Sequence, residues 1–407
     1  MLSSIRHWFI ARTRWEQAAF AVWTIVLLFV CTRAFVAPAS RTVYPIFSES
    51  TRLWWQTDDL YEPYRPNHVQ GGYRYSPAFA ILFTPFAIFP DAIGGVLWRI
   101  FSGACFIAAL AWLTRSVLPG CLSRDHFAIL TLLCLPLSVQ SLNNGQANVI
   151  VIASMMATIA AIREQRWNLA TALLLVAFIC KVYPIAFAML LIVLYPRQLL
   201  WRMAMAILPS LVLPFVAQHW DYVVDQHQKW IELLLADDRT NADDRNKHRD
   251  LWLLIDIYHL PVSRFAYRII QMAGGAGIAL LLWIRQRQGW DEKHLLISAL
   301  GLGVSWILVL GPVVESSTFQ LLAPSLAWSL VASVRESSWS ARRLILAGSG
   351  LLFVLAAALG SLGNTADLSI IGIHPMASTL YFVYLLSEPR PIGELATPTE
   401  TERLTAM

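Results

Sequence analysis

Residues 77–113 read PAFAILFTPFAIFPDAIGGVLWRIFSGACFIAALAWL. One membrane crossing takes about 20 apolar residues, so the run is too long for a single simple span. Pro85, Pro90, Gly94 and Gly95 break it in its first half. Proline removes a helical hydrogen bond and glycine weakens the helix, so the run divides there. Two readings follow: one crossing preceded by a segment that dips and returns, or two crossings. Every later loop changes sides with the choice.

Basic residues decide it, because short cytoplasmic loops carry the excess of Lys and Arg. Arg6, Arg12 and Arg14 place the N-terminus inside. With one crossing, Arg115/Arg124, Arg163/Arg166, Arg197/Arg202, Arg285/Arg287/Lys293 and Arg335/Arg342/Arg343 all fall inside too. The opposite short loops, 143–146, 313–317 and 361–374, hold no Lys or Arg. With two crossings the pattern inverts. One net crossing is therefore expected.

The remaining apolar runs are 17–37, 126–142, 147–161, 168–180, 183–195, 201–217, 265–284, 293–312, 318–333, 343–360 and 375–388. The expected fold is an all-α, polytopic transmembrane helical bundle of about twelve spans, with both termini cytoplasmic. Residues 1–16 form a cytoplasmic N-terminus, 17–388 the transmembrane domain and 389–407 a disordered cytoplasmic tail. Two long non-cytoplasmic loops, 38–76 and 218–264, interrupt the bundle. The second contains DDRTNADDRNKHRD, which long loops tolerate, and WIELLL, which suits a membrane surface.

Composition agrees. The 407 residues are 57% hydrophobic and 14% charged, against about 25% charged in soluble domains. The first run lacks a small-residue cleavage site and reads as a retained helix. The net charge of +5 gives no block that marks a nucleic-acid partner. Cys31, Cys105, Cys121, Cys134 and Cys180 have no paired spacing and read as packing residues. No metal-binding spacing, P-loop or dinucleotide fingerprint is present, and no metal or cofactor is expected.

Polar residues gather at the non-cytoplasmic ends of the runs. In SLNNGQANVIVIA (141–153), Asn144, Gln146 and Asn148 lie between two apolar runs. A tight turn explains Asn-Gly by itself. A second reading is an anion site, since Gln146 and Asn148 open the next helix, whose free N–H groups and dipole favour negative charge. Lys181 in FICKVYPIA is an intramembrane lysine, either snorkelling or functional. Glu315 occupies another outer turn. The first outer loop supplies Glu49, Asp58, Asp59 and Glu62, then Arg74 between Tyr73 and Tyr75. Each alone reads as a solvated loop residue. Together they describe a cavity for a phosphate-bearing ligand and a hydroxyl to be deprotonated.

An ordered set of motifs carries a resemblance: DLY (59–61), YRYSPAFAILFTPFAIFP (73–90), NGQAN (144–148), KVYP (181–184) and GPVVESSTFQLLAP (311–324). From about residue 40 to 330 the chain resembles the family-87 glycosyltransferases. These are polytopic enzymes of the GT-C class that include mycobacterial mannosyltransferases of phosphatidylinositol mannoside synthesis. The resemblance implies transfer of a hexose, mannose first, from a polyprenyl-phosphate sugar to a lipid or glycan acceptor on the non-cytoplasmic face of the plasma (inner) membrane. It implies inversion, with a loop carboxylate as base. Asp58 or Asp59 is the first candidate for that role and Glu49 the next. Lys181 and Arg74 would contact phosphate, Asn144, Gln146, Asn148 and Glu315 would line the pocket, and Tyr73 and Tyr75 would stack on sugar or prenyl chain.

The chain departs from the family pattern in two places. Members carry an Asp just after the first span, where this chain reads SRTVYPIFSES, and the Glu315 turn lacks the expected histidine. Two other functions therefore stand beside the enzyme: a transporter or flippase of a lipid-linked sugar, and a catalytically decayed structural subunit. No paired inverted repeat of the transporter kind is visible.

Overall fold

The computed structural model describes residues 12–61, 72–118, 124–236, 247–311, 314–334, 340–361 and 372–389. The expectations for Arg6, Glu62, Cys121, Arg335, residues 237–246 of the charged loop and the tail from 390 lie outside them. Among the described residues the chain is helical throughout, with no strand.

In chain order the helices are α1 (Arg14–Val36), α2 (Tyr44–Trp55), α3 (Pro77–Ala87), α4 (Asp91–Ser116), α5 (Arg124–Asn144), α6 (Asn148–Arg163), α7 (Trp167–Cys180) and α8 (Pro184–Leu194). Then come α9 (Pro196–Ala217), α10 (Trp220–Ala236), α11 (Leu251–Ile257), α12 (Arg264–Arg287), α13 (Glu292–Val309), a 3₁₀ segment (Ser316–Leu322), α14 (Ala323–Ser333), α15 (Ala341–Ser361) and α16 (Ile373–Leu386). Seven of these are long and apolar enough to cross a membrane, and five more apolar helices are shorter. The protein is a multi-pass membrane protein.

The decisive run divides at Pro90. Its first part, α3, has 11 residues, roughly 16 Å at 1.5 Å per residue. Its second part, α4, has 26 residues, roughly 39 Å. Near its start the Trp98 indole donates to the Gly145 carbonyl at 2.8 Å, and near its end Trp112 and Ser116 donate to Glu164 at 2.6 and 2.7 Å. Those partners lie at opposite ends of α6, so α4 runs the height of the bundle once. The expected run 318–333 also divides, into the 3₁₀ segment and α14, which opens with Pro324 in its first turn.

Burial sorts the helices. Every residue of α6 from Asn148 to Ile162 is buried, and α13 is nearly as enclosed. Both are apolar on all sides, as central helices must be. By contrast α1, α9, α12 and α15 are mostly uncovered and present large apolar side chains such as Phe29, Val216, Met272 and Leu351. Hydrocarbon suits that surface, since lipid replaces the missing protein contacts.

The two ends of the bundle differ. One is basic: Arg163 pairs with Glu292 at 3.2 Å, Arg285 with Glu388 at 3.1 Å, and Arg166 and Arg202 lie over Trp112 and Trp201. The other holds the 143–147 turn, Lys181 and the long loops. There α2 is braced on α4, with Asp91 accepting from Ser48 at 2.9 Å and Arg52 at 2.6 Å. Helix α10 presents Val223 and Gln226 inward, with Trp220, Ile231, Leu234 and Leu235 outward.

Candidate functional site

The site is built on Asn148, the first residue of α6. Its side-chain oxygen accepts from the Tyr183 hydroxyl at 3.0 Å, and its amide donates to Ser317 Oγ at 3.5 Å. Ser141 Oγ donates to the Ser317 carbonyl at 2.6 Å, and Gln140 donates to Ser316 Oγ at 2.8 Å. Three segments far apart in sequence, 140–148, 183 and 315–318, are thus joined around one helix start. Ala147 and Asn148 are fully buried, and among the described residues no side-chain hydrogen bond caps the α6 N-terminus. A helix start leaves free N–H donors, so an uncapped and buried one is set up to receive an acceptor. Gln146 is also buried, and its side-chain oxygen has no hydrogen-bond partner among the described residues.

Lys181 lies two residues before Tyr183, whose hydroxyl bonds Asn148. The chain leaves α7 at Lys181 in extended conformation, and α8 begins at Pro184, whose missing N–H costs nothing in a first helical turn. The ammonium group lies 5.0 Å from the Tyr75 ring centre. Tyr75 stacks on Phe79 at 4.5 Å and meets Phe47 edge-on at 4.7 Å, so aromatic packing fixes the platform under the charge. Tyr73 packs against Tyr61 and Tyr75, and Arg74 between them accepts the Trp230 indole on its carbonyl at 3.3 Å.

Glu315 caps the 3₁₀ segment, and its backbone N–H bonds Thr318 Oγ1 at 3.2 Å. It acts electrostatically on Tyr75, Tyr183 and Arg249. Burial first, and the Glu315 carboxylate after it, raise the Tyr75 phenol well above its ordinary range. Burial pushes the Arg249 guanidinium down, and Glu315 opposes that. Arg249 also donates to His374 at 3.4 Å, while its backbone N–H bonds the Val314 carbonyl at 2.7 Å. One carboxylate, two cations, two tyrosines and an open helix start therefore share one end of the bundle.

The strap carrying Arg249 has its own pH response. Asp250 caps α11 through the Leu253 N–H at 3.3 Å and is buried, which pushes its carboxyl up to about 6. Its proton is held more tightly folded than unfolded. The resulting stability is full below the unfolded value of 3.8 and is lost as pH rises through about 6. Detergent-solubilised protein should lose a few degrees of Tm between pH 4 and 7 that Asp250→Asn does not lose. Identical slopes in the two proteins would refute this.

The acidic residues of the first loop are placed differently. Asp59 Oδ2 pairs with Lys229 of α10 at 2.8 Å, and its Oδ1 accepts from the Tyr61 N–H at 2.9 Å. The hydrogen bond that Lys229 donates to Asp59, then the one it donates to Asp225, raises its pKa. Asp58 Oδ1 accepts the Asp59 N–H at 2.8 Å, and its carbonyl accepts the Tyr222 hydroxyl at 2.7 Å. Both join the platform through Tyr61, whose hydroxyl donates to the Tyr75 carbonyl at 2.8 Å. Glu49, half-buried on α2, takes no hydrogen bond or ion pair among the described residues. Asn144 serves with its carbonyl, accepting Val43 N–H and Thr42 Oγ1, both at 2.9 Å.

Of the candidates read from sequence, Lys181, Tyr75, Asn148 and Glu315 thus gather most closely, with Gln146 two residues before the helix start. Tyr183, Ser317, Arg249 and His374 join them. Tyr183 was inside the KVYP motif, whereas Arg249 lay in a charged run that reads as solvated loop.

The profile of glycosyltransferase family 87 matches residues 73–312, which hold the platform, the helix start, Lys181 and Arg249. The chain belongs to glycosyltransferase family 87. It is therefore a membrane glycosyltransferase by family. Among solved structures it is similar to ArnT from Cupriavidus metallidurans, which was crystallised with undecaprenyl phosphate. That likeness has 14% identity and a TM-score of 0.38, covering 89% of this chain and 76% of that one. No curated protein sequence matches. For this glycosyltransferase the residues above are the candidate active site.

Proposed function

We propose that this glycosyltransferase moves a hexose, mannose in the first instance, from a polyprenyl-phosphate sugar to a hydroxyl of a lipid or glycan acceptor. The convergence of Lys181, Glu315, Tyr75, Tyr183 and Arg249 on the uncapped start of α6 carries this reading. The acceptor oxygen attacks the anomeric carbon, and the bond from that carbon to the phosphate oxygen breaks with inversion. The acceptor proton passes to a carboxylate, and polyprenyl phosphate leaves carrying the released charge.

Glu315 is the base in this reading, because it is the carboxylate placed with the cations. Asp59 is engaged by Lys229 and braces the loop, Asp58 shapes its turn, and Glu49 is the alternative acceptor in the first loop. Lys181 and the α6 N-terminus hold phosphate. The basic end faces the cytoplasm of a plasma (inner) membrane crossed about twelve times, which puts both termini inside and the site outside.

Purified protein incubated with labelled polyprenyl-phosphate sugars tests the proposal. Glycosylated acceptor and free polyprenyl phosphate should appear in equal amounts. Movement of labelled donor across vesicles without release would instead make the protein a transporter. No turnover with any donor or acceptor would favour the decayed subunit. Lys181→Ala should raise the donor KM about tenfold to a hundredfold, as loss of a charge-assisted contact does. An unchanged KM would remove Lys181 from the phosphate site.

A further inference from the structure

Arg99 is a fully buried cation in the middle of the run that decides the topology. One nitrogen donates to the Gly95 carbonyl at 2.9 Å, and the other to Thr42 Oγ1 at 3.0 Å and the Asn143 carbonyl at 2.6 Å. Of its two remaining N–H groups, the one on Nε has no partner among the described residues, and no carboxylate there pairs with the guanidinium. A buried charge is costly unless it is neutralised or used. A second cation, Arg33, donates to the Asn143 side chain at 3.2 Å. Two guanidinium groups therefore stand behind one turn.

The orientation is informative. Gly145 has φ +66°, and a Cβ built there would sit 3.5 Å from Arg99 Cζ and from both terminal nitrogens. Equal distances to all three atoms put the guanidinium plane flat against Gly145. The Trp98 indole holds the carbonyl of the same residue. The turn that ends in the open α6 N-terminus thus rests on a positive plate with no neutralising partner.

We propose that Arg99 is a positioning residue for the donor phosphate: it fixes the 143–146 turn and lends its unneutralised charge to the phosphate held at the start of α6. The inference rests on the donor reading above. In the low dielectric of the bundle its field reaches across the turn with little screening. The leaving polyprenyl phosphate gains charge as the sugar departs, so the field favours product formation as well as binding.

The experiment compares a long-chain polyprenyl monophosphate with the matching uncharged polyprenol as ligands of the purified full-length protein. Arg99→Met should cut the preference for the phosphate about tenfold or more, with polyprenol binding unmoved. Arg99→Lys keeps the charge and should retain the preference within about threefold, even with a lower Tm. Equal loss of both ligands in Arg99→Met would show a merely structural role and overturn the proposal, as would an unchanged preference. If Arg99→Met does not fold, Arg99→Lys decides: a lost preference overturns the proposal. A wild-type protein with no phosphate preference would sink the donor reading itself, which distinguishes the two failures.

Discussion

Glu315→Gln should reduce kcat on the order of 10²–10⁴-fold while leaving the donor KM and the Tm near those of the wild type. Glutamine keeps the shape, and the backbone of residue 315 still bonds the Thr318 N–H and hydroxyl, so the turn should survive. It cannot take up the acceptor proton. The loss should therefore fall on the chemical step. Asp59→Asn supplies the contrast. It weakens the pair with Lys229, both partners of which are partly exposed, and so should cost little stability and less than about tenfold in kcat. If Asp59→Asn or Glu49→Gln abolishes turnover and Glu315→Gln does not, the base lies in the first outer loop and the assignment to Glu315 is wrong.

Much of this arrangement was open to reading because membranes impose simple rules. Basic residues sort to one end, backbone must be helical in lipid, and Pro90 has to interrupt a helix. Those rules placed α4 as one crossing and put Lys181 and the Asn-Gly turn at the same end. Lys181 stood out since a lone cation between apolar runs needs a reason. The same rule applies to Arg99, which lies as deep in an apolar run. Its place inside the long 77–113 run hides it, because arginines near run ends are the ones that set orientation.

Other pairings left no trace in the sequence. Lys229 lies 170 positions from Asp59, and Arg249 lies 125 from His374. No local period connects residues at such separations, and only packing of α10 and α11 onto the first loop and α16 brings them together. Arg249 was further disguised by its charged neighbours. With no Asp directly after the first span, the acidic residues left in the first loop are Glu49, Asp58 and Asp59, and the engagement of Asp59 with Lys229 and of Asp58 with its own turn appears only in three dimensions.

Gly94→Ala should be the most damaging single substitution for folding. The Tyr44 hydroxyl donates to the Phe86 carbonyl at 2.9 Å directly across Gly94. A Cβ at residue 94 would overlap both the hydroxyl oxygen and that backbone carbonyl. A side-chain tip can swing aside, but the carbonyl moves only if α3 shifts against α4. Overpacking of this kind costs about 3 kcal/mol or more. The shift would also carry Trp98 and Arg99, one turn along α4, away from the 143–146 turn they hold. Donor binding should thus fail along with stability, readable as lost thermal protection by polyprenyl phosphate in whatever protein survives. Gly277→Ala, on the open face of α12 where a Cβ meets nothing within 4 Å, should be neutral or slightly stabilising. Tyr44→Phe removes one of the two obstacles. Gly94→Ala should therefore cost measurably less in that background, by the non-additivity expected of touching residues. Equal costs in both backgrounds would mean that the Phe86 carbonyl alone sets the close approach of α3 and α4.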